Sequence, residues 1–261
     1  MLADLARRLW SARLEGGAIP VAVGDALGGL EDAYAVQREI AELAGMVRGG
    51  WKVGATSQAA QQLLNTPEPA TAPMFEPLCY QSPAEVAIHE GRFASAESEF
   101  AFRFCHDLPA RDEVYSRTEV LDAVGTLCPS IEIVSCRYEG GFQGLGGVRL
   151  ISDMTANLAW THGPETTDWR GRDLTTHRVV LKRNGAVAAE GTGAQVLGDP
   201  LNVLEWTANH LSRLGYGIAA DEVITTGTCT GVTPVAAGDL LVADFGDLGS
   251  AEVRFVPAVN V

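Results

Sequence analysis

Ser95-Ala96-Glu97-Ser98-Glu99-Phe100-Ala101-Phe102 alternates small and acidic residues, then aromatic and small ones. A period of two predicts a β-strand, in which residues i and i+2 share a face. Glu97 and Glu99 then project side by side, and Phe100 and Phe102 point the other way into a core. Adjacent carboxylates repel unless a cation lies between them. Two readings fit the acidic pair: an exposed strand edge, or part of a site for a hard divalent cation such as Mg²⁺ or Mn²⁺, which prefers oxygen ligands.

Working outward, Pro129-Ser-Ile-Glu-Ile-Val-Ser135 reads as a second strand, with Glu132 on the face opposite Ile131 and Ile133. It is the third candidate carboxylate. Further strands are predicted over 85–89, 96–104, 177–183, 186–192, 222–227, 239–245 and 250–256, with Asn184-Gly185 as a hairpin turn. Before them, Leu2, Leu5 and Leu9 recur at helical spacing, and Leu30 to Leu43 forms an amphipathic helix. Gly49-Gly50 is expected to end this helical region, followed by a short strand at Trp51–Gly54. The prolines at 67, 69, 73 and 77 predict an irregular loop over 60–80. Helices are expected from Arg117 to Leu127 and from Pro200 to Leu214, the latter capped by Asp199. The pattern is an α+β fold: a helical region over 1–50 and a strand-rich domain over 51–261.

Composition bounds the partners. The chain has 261 residues, 46% of them hydrophobic, enough for a sizeable core. A formal net charge of −14 argues against nucleic acid or anionic membranes, which select clustered Lys and Arg. No run of about 18 apolar residues predicts a membrane span, and residues 1–13 lack the apolar stretch of a signal peptide. The five cysteines include no CxxC pair, so neither a disulfide framework nor a zinc site is signalled, and a cytoplasmic location is expected.

Six segments in order carry a family resemblance: Leu30-Glu-Asp-Ala-Tyr-Ala-Val-Gln37, Gly50-Trp-Lys-Val-Gly-Ala-Thr-Ser57, Ala96-Glu-Ser-Glu-Phe100, Ile131-Glu-Ile-Val134, Gly191-Thr-Gly-Ala-Gln-Val-Leu-Gly-Asp-Pro200 and Ala243-Asp-Phe-Gly-Asp-Leu-Gly-Ser250. The chain resembles the 2-keto-4-pentenoate hydratase / 4-oxalocrotonate decarboxylase family of the fumarylacetoacetate hydrolase superfamily. The resemblance implies a mixed sheet rolled on itself, as in the fumarylacetoacetase C-terminal domain. It implies a Mg²⁺ or Mn²⁺ ion on Glu97, Glu99 and Glu132, and Lys52 in the active site. On its own, Lys52 also fits a surface lysine with its stem along Trp51. The implied substrates are 2-oxo acids or their 2-hydroxydienoate enols. The implied reaction is hydration of a 2-hydroxy-2,4-dienoate; decarboxylation of a 2-oxo-3-enedioate is the alternative, and a non-catalytic assembly partner a third reading. A homo-oligomer, and a complex with a partner enzyme of the same pathway, are implied as well.

Asn157, Trp160, Thr192 and Thr228 are the candidate substrate contacts. Departures from the family pattern cluster here. Val134-Ser135-Cys136-Arg137 lacks an expected acid, Tyr138–Leu150 is long and glycine-rich, and Ala159-Trp160 stands where a serine is expected. The loop Thr226–Val232 fits either an anion-cradling turn or an ordinary one. Cys229 reads as a bystander thiol, since no histidine partner is identifiable. His89-Glu90 is the only adjacent His-Glu pair, and it falls in a strand-turn.

Overall fold

The computed structural model describes residues 1–258; the last three residues of the predicted 51–261 domain lie outside them. Helices α1 (Leu2–Glu15) and α2 (Leu30–Ala44) open the chain. They lead to β1 (Arg48–Gly54), α3 (Gln58–Leu64), β2 (Ala70–Phe75), β3 (Cys79–Gln81), β4 (Ala84–Ile88) and β5 (Ser95–Phe104). Next come α4 (Arg117–Asp122), β6 (Val124–Val134), α5 (Gly147–Ser152), β7 (Asn157–His162), β8 (Arg178–Arg183), β9 (Ala186–Thr192) and α6 (Pro200–Arg213). The short strands β10 (Val223–Thr225) and β11 (Thr233–Pro234) precede β12 (Leu240–Asp244) and β13 (Ser250–Pro257).

Two mixed sheets result. The larger runs β2-β1-β10-β5-β6-β7-β3 with β11 also on β5, and the smaller runs β4-β13-β12-β8-β9. The larger sheet curls, so Met74 of β2 packs in one cluster with Trp160 of β7 from the far side. One face of β5 carries Phe100 and Phe102 into the core between the sheets, alongside Ile131, Ile133 and Phe255. Both phenylalanines are fully buried, each contributing roughly 1.5–3 kcal/mol of apolar transfer. The opposite face carries the glutamates into the curl.

Several predicted boundaries shift, each for a physical reason. Helix α2 stops at Ala44 because Gly45 adopts the left-handed conformation and closes its end. Gly49-Gly50 therefore belongs to β1. Gly50 has φ +154°, and a Cβ there would lie 2.0 Å from the Val223 carbonyl oxygen, so glycine permits the close β1–β10 approach. The 60–80 segment is ordered as α3, β2 and β3. Proline does not prevent β2, because that strand is the sheet edge, where Pro73 pairs opposite Trp51. The 117–127 helix ends at Asp122, held at its start by a Ser116–Glu119 capping box. The chain then enters β6, which pairs with β5 along its whole length. Pro129 lies inside β6, opposite Phe100. Its carbonyl accepts from the Gly163 N–H, toward the side where β7 ends, so its missing N–H removes no bond to β5. Strand β7, missed in the sequence, forms the wall beside Glu132.

Candidate metal and substrate site

The β5–β6 register sets Glu97 directly opposite Glu132, with Glu99 two residues along the same face. One carboxylate oxygen from each of the three lies within 4.8 Å of the others. Glu99 and Glu132 are fully buried, and Glu97 opens to a cavity. Lys52 points into the same space from β1. Its Nζ lies 2.9 Å from Glu132 Oε1 and donates to the Thr155 carbonyl at 2.9 Å.

The electrostatics are those of a crowded anionic cluster. Burial, opposed by Lys52 and reinforced by Glu132, pushes the Glu97 carboxyl up to about 7. Burial, then Glu132 and Glu97, hold Glu99 well above the usual carboxylate range. For Lys52 burial pulls downward, but the three carboxylates together prevail and raise it, so Nζ stays protonated. Lys52 alone does not offset burial and mutual repulsion, so Glu97 and Glu99 hold their protons more tightly than free carboxyls, and a bound dication would displace those protons.

Each buried glutamate has one oxygen fixed and one free. Glu132 Oε1 accepts from Lys52 and from Asn157 Nδ2 at 3.0 Å, and Glu99 Oε2 accepts from the Gly227 N–H at 2.8 Å. Glu132 Oε2 and Glu99 Oε1 are buried with no hydrogen-bond partner among the described residues. Buried carboxylate oxygens left unpaired are costly. Two such oxygens, in a group whose three glutamates each bring one oxygen within 4.8 Å of the others, suit a hard dication in their donor chemistry. The residues present therefore fit Mg²⁺ or Mn²⁺.

A strained turn positions Lys52. Met154, Thr155 and Ala156 all have left-handed φ values, 54°, 48° and 59°. Such non-glycine residues cost on the order of 1–3 kcal/mol each and persist only where surroundings hold them. Here Gln37 of α2 donates to the carbonyls of Thr71 and Ile151, and Thr155 Oγ1 donates to Thr71. The buried Arg137–Asp153 pair clamps the turn's start through Nε and the backbone N–H, at 2.6 and 2.7 Å. Arg13 of α1 reaches across to the carbonyls of Asn157 and Leu158.

The other sequence candidates separate. Thr228 lines the cavity. Asn157 does not; a bulge between Ile133 and Val134 brings it instead against Glu132. Trp160 lies opposite Glu132 but is buried at the closed side of the curl, packed with Met74 and Cys128 and stacked on His162. It leaves the cavity mouth unnarrowed. Thr192 ends β9 in the smaller sheet, away from the cavity, while Gln195 from the following turn lines it. Gln37, Gln195 and Gly227 lie within the quoted segments, but their roles depend on contacts with residues distant in the chain, which no local pattern marks. Gly227 has φ +94°, and a Cβ there would meet Thr56 Oγ1 at 1.8 Å, so the loop after β10 can deliver its N–H to Glu99 only with glycine. The Cys229 thiol is buried, and burial followed by Glu99 pushes it far above its ordinary value, which removes it as a nucleophile. His89 lies outside this cavity, in a separate recess with Gly16 and Arg92.

A curled mixed sheet with a carboxylate cluster inside defines a class, and the comparisons agree. The "Fumarylacetoacetate (FAA) hydrolase C-terminal" family model matches residues 50–256. The chain belongs to the fumarylacetoacetate hydrolase family. It is 29% identical to the 2-keto-4-pentenoate hydratase of Paraburkholderia xenovorans (strain LB400) over 231 residues, 87% of this chain and 84% of that one. It is 28% identical to the 4-oxalocrotonate decarboxylase of Pseudomonas sp. (strain CF600), covering 86% of this chain and 85% of that one. Among solved structures it resembles the 4-oxalocrotonate decarboxylase of Pseudomonas putida G7, complexed with magnesium and adipate. The TM-score there is 0.87 at 27% identity, covering 98% of this chain and 97% of that one.

Proposed function

We propose that this protein is a divalent-metal-dependent hydro-lyase that adds water to a 2-hydroxy-2,4-dienoate of the 2-oxo-4-pentenoate type, giving a 4-hydroxy-2-oxo acid. The observation that carries the reading is the pair of buried, unpartnered carboxylate oxygens on Glu99 and Glu132 beside a protonated lysine at a cavity. Relatives named as hydratases of 2-keto-4-pentenoate and 2-hydroxyhexa-2,4-dienoate support the reaction. Glu97, Glu99 and Glu132 would hold Mg²⁺ or Mn²⁺, ions named with solved structures of this fold. When bound, the metal supplies Lewis acidity for negative charge developing on the substrate's C2 oxygen.

The chain's own residues do the rest. Lys52 Nζ carries the proton delivered to C5 of the dienol, and the C2 hydroxyl proton restores it; water then adds at C4 and C3 takes the last proton. The Thr155 carbonyl and Glu132 hold Nζ in place, Gly227 and Asn157 hold Glu99 and Glu132, and Thr228 and Gln195 are polar groups at the cavity wall for the substrate. Val134 and Phe142 keep bulk water from the reacting carbons.

Decarboxylation of a 2-oxo-3-enedioate is the second reading, favoured by the TM-score of 0.87 to a decarboxylase. Mixing 2-hydroxypenta-2,4-dienoate with protein and Mn²⁺ tests the proposal. Loss of the dienol ultraviolet band with formation of 4-hydroxy-2-oxopentanoate, abolished by a chelator, is expected. A stable band under both conditions refutes hydration, and CO₂ release from the enedioate without hydration favours the second reading. A cytoplasmic site of action belongs to the same proposal, supported by five cysteines that form no disulfide; no helix among the described residues is long and apolar enough to cross a membrane. Assembly as a homo-oligomer, with docking to a partner enzyme of the pathway, completes it and is checked by light scattering.

A further inference from the structure

The cavity beside Lys52, about 130 Å³, has a polar floor and an apolar wall. Leu64, Val134 and Leu150 are buried in the wall, Phe142 joins them, and Leu63 and Val232, both exposed, lie on the rim. The Phe142 ring is fixed by an edge-to-face contact with Phe93 at 4.7 Å. Phe142 and Leu150 come from the glycine-rich segment that departs from the family pattern.

Lys52 is the one cation among the described residues lining this cavity, and Glu132 and Thr155 already engage it. Arg149, next to Leu150 in sequence, is turned away onto Asp25. Gln195 and Thr56 offer neutral hydrogen bonds only. A substrate whose 2-oxo acid end sits at the glutamates would therefore place its far end against aliphatic and aromatic carbon. A methyl or ethyl group gains there by burial. A second carboxylate would lose water without meeting a countercharge.

We infer that the enzyme selects 2-hydroxydienoates with an uncharged, apolar tail and discriminates against dicarboxylates, with Leu64, Phe142 and Leu150 as specificity-determining residues. The inference rests on the functional reading above. It separates this chain from its structural relative complexed with adipate, a dicarboxylate.

Two unreactive ligands of equal carbon count test it: 2-oxohexanoate and 2-oxoadipate, titrated calorimetrically into Mg²⁺-loaded protein. The expected result is that 2-oxohexanoate binds about tenfold or more tightly. Leu63→Arg, at an exposed rim position that folding tolerates, should narrow the ratio several-fold at an unchanged unfolding temperature. Equal or tighter binding of 2-oxoadipate by the wild type overturns the inference and leaves the hydratase reading standing. Binding of neither ligand in the presence of Mg²⁺ overturns the functional reading, and the specificity with it.

Discussion

In the proposed reaction Lys52 is the proton donor, and the structure shows it as a buried cation kept protonated by the acidic groups around it. Lys52→Met removes the proton donor while retaining most of the side chain's bulk. Its kcat should fall by about 10²–10⁴-fold. Calorimetric affinity for Mg²⁺ should not fall, since the variant removes a positive charge from the neighbourhood of a dication. Loss of metal binding together with activity would mean that Lys52 only organises the carboxylates. The residues most legible in sequence were those with charge at periodic spacing: Glu97 and Glu99 share a face by strand geometry, and the structure brings Glu132 and Lys52 to them. The neutral supports were illegible. Gln37 acts through two backbone carbonyls more than 30 residues away, and no local pattern announces such a bond.

At the scale of elements, α6 shows how far local signals reach. Asp199 Oδ1 accepts from the Leu201 N–H with Pro200 in the first turn, as expected from its capping sequence. What the helix buries was not readable. His210 stacks on Trp206 at 4.4 Å, and its Nε2 lies 3.1 Å from the Tyr34 hydroxyl of α2. Burial, with Arg213 next to it, depresses His210 to about 4; Glu68, 3.9 Å from Nδ1, does not offset them. The unfolded chain therefore binds a proton near 6.5 that the folded chain refuses until about 4. Stability from this residue is present above pH 6.5 and lost as pH falls toward 4, by up to roughly 3 kcal/mol. Urea unfolding of wild type and His210→Gln at pH 7.5 and 5 should show a larger acid-induced loss in the wild type; equal losses would exclude His210 as the source. One error at this scale has a plain cause: Pro73 is a strand breaker by propensity, yet the edge position of β2 tolerates it, and only the sheet order reveals that position.

For the whole molecule, closing the curl confines three carboxylates in one interior, so the fold itself carries their repulsion. Metal that binds only the folded state then stabilises it by mass action, by about 2.7 kcal/mol at 100 times Kd. For a chain of this size that is a rise of roughly 5–10 °C in Tm. Thermal unfolding with and without Mn²⁺ should show this rise in the wild type and its absence in the Glu97→Ala/Glu99→Ala variant. An equal rise in both would place the metal elsewhere. The N-terminal helices belong to the same unit energetically: Leu9 and Ile40 share an apolar cluster with Phe75, Val134 and Leu150, and Arg13 holds the start of β7. Sequence alone determined the α+β class, the two-faced strand at Ser95–Phe102 and the candidate carboxylates, because periodicity and charge are local properties. Tertiary structure alone decided that Asn157 serves Glu132, that Trp160 plugs the curl, and that Phe142 and Leu150 wall the cavity. Those outcomes depend on register between strands distant in the chain and on the curl that brings β2 to β7, which no run of neighbouring residues encodes.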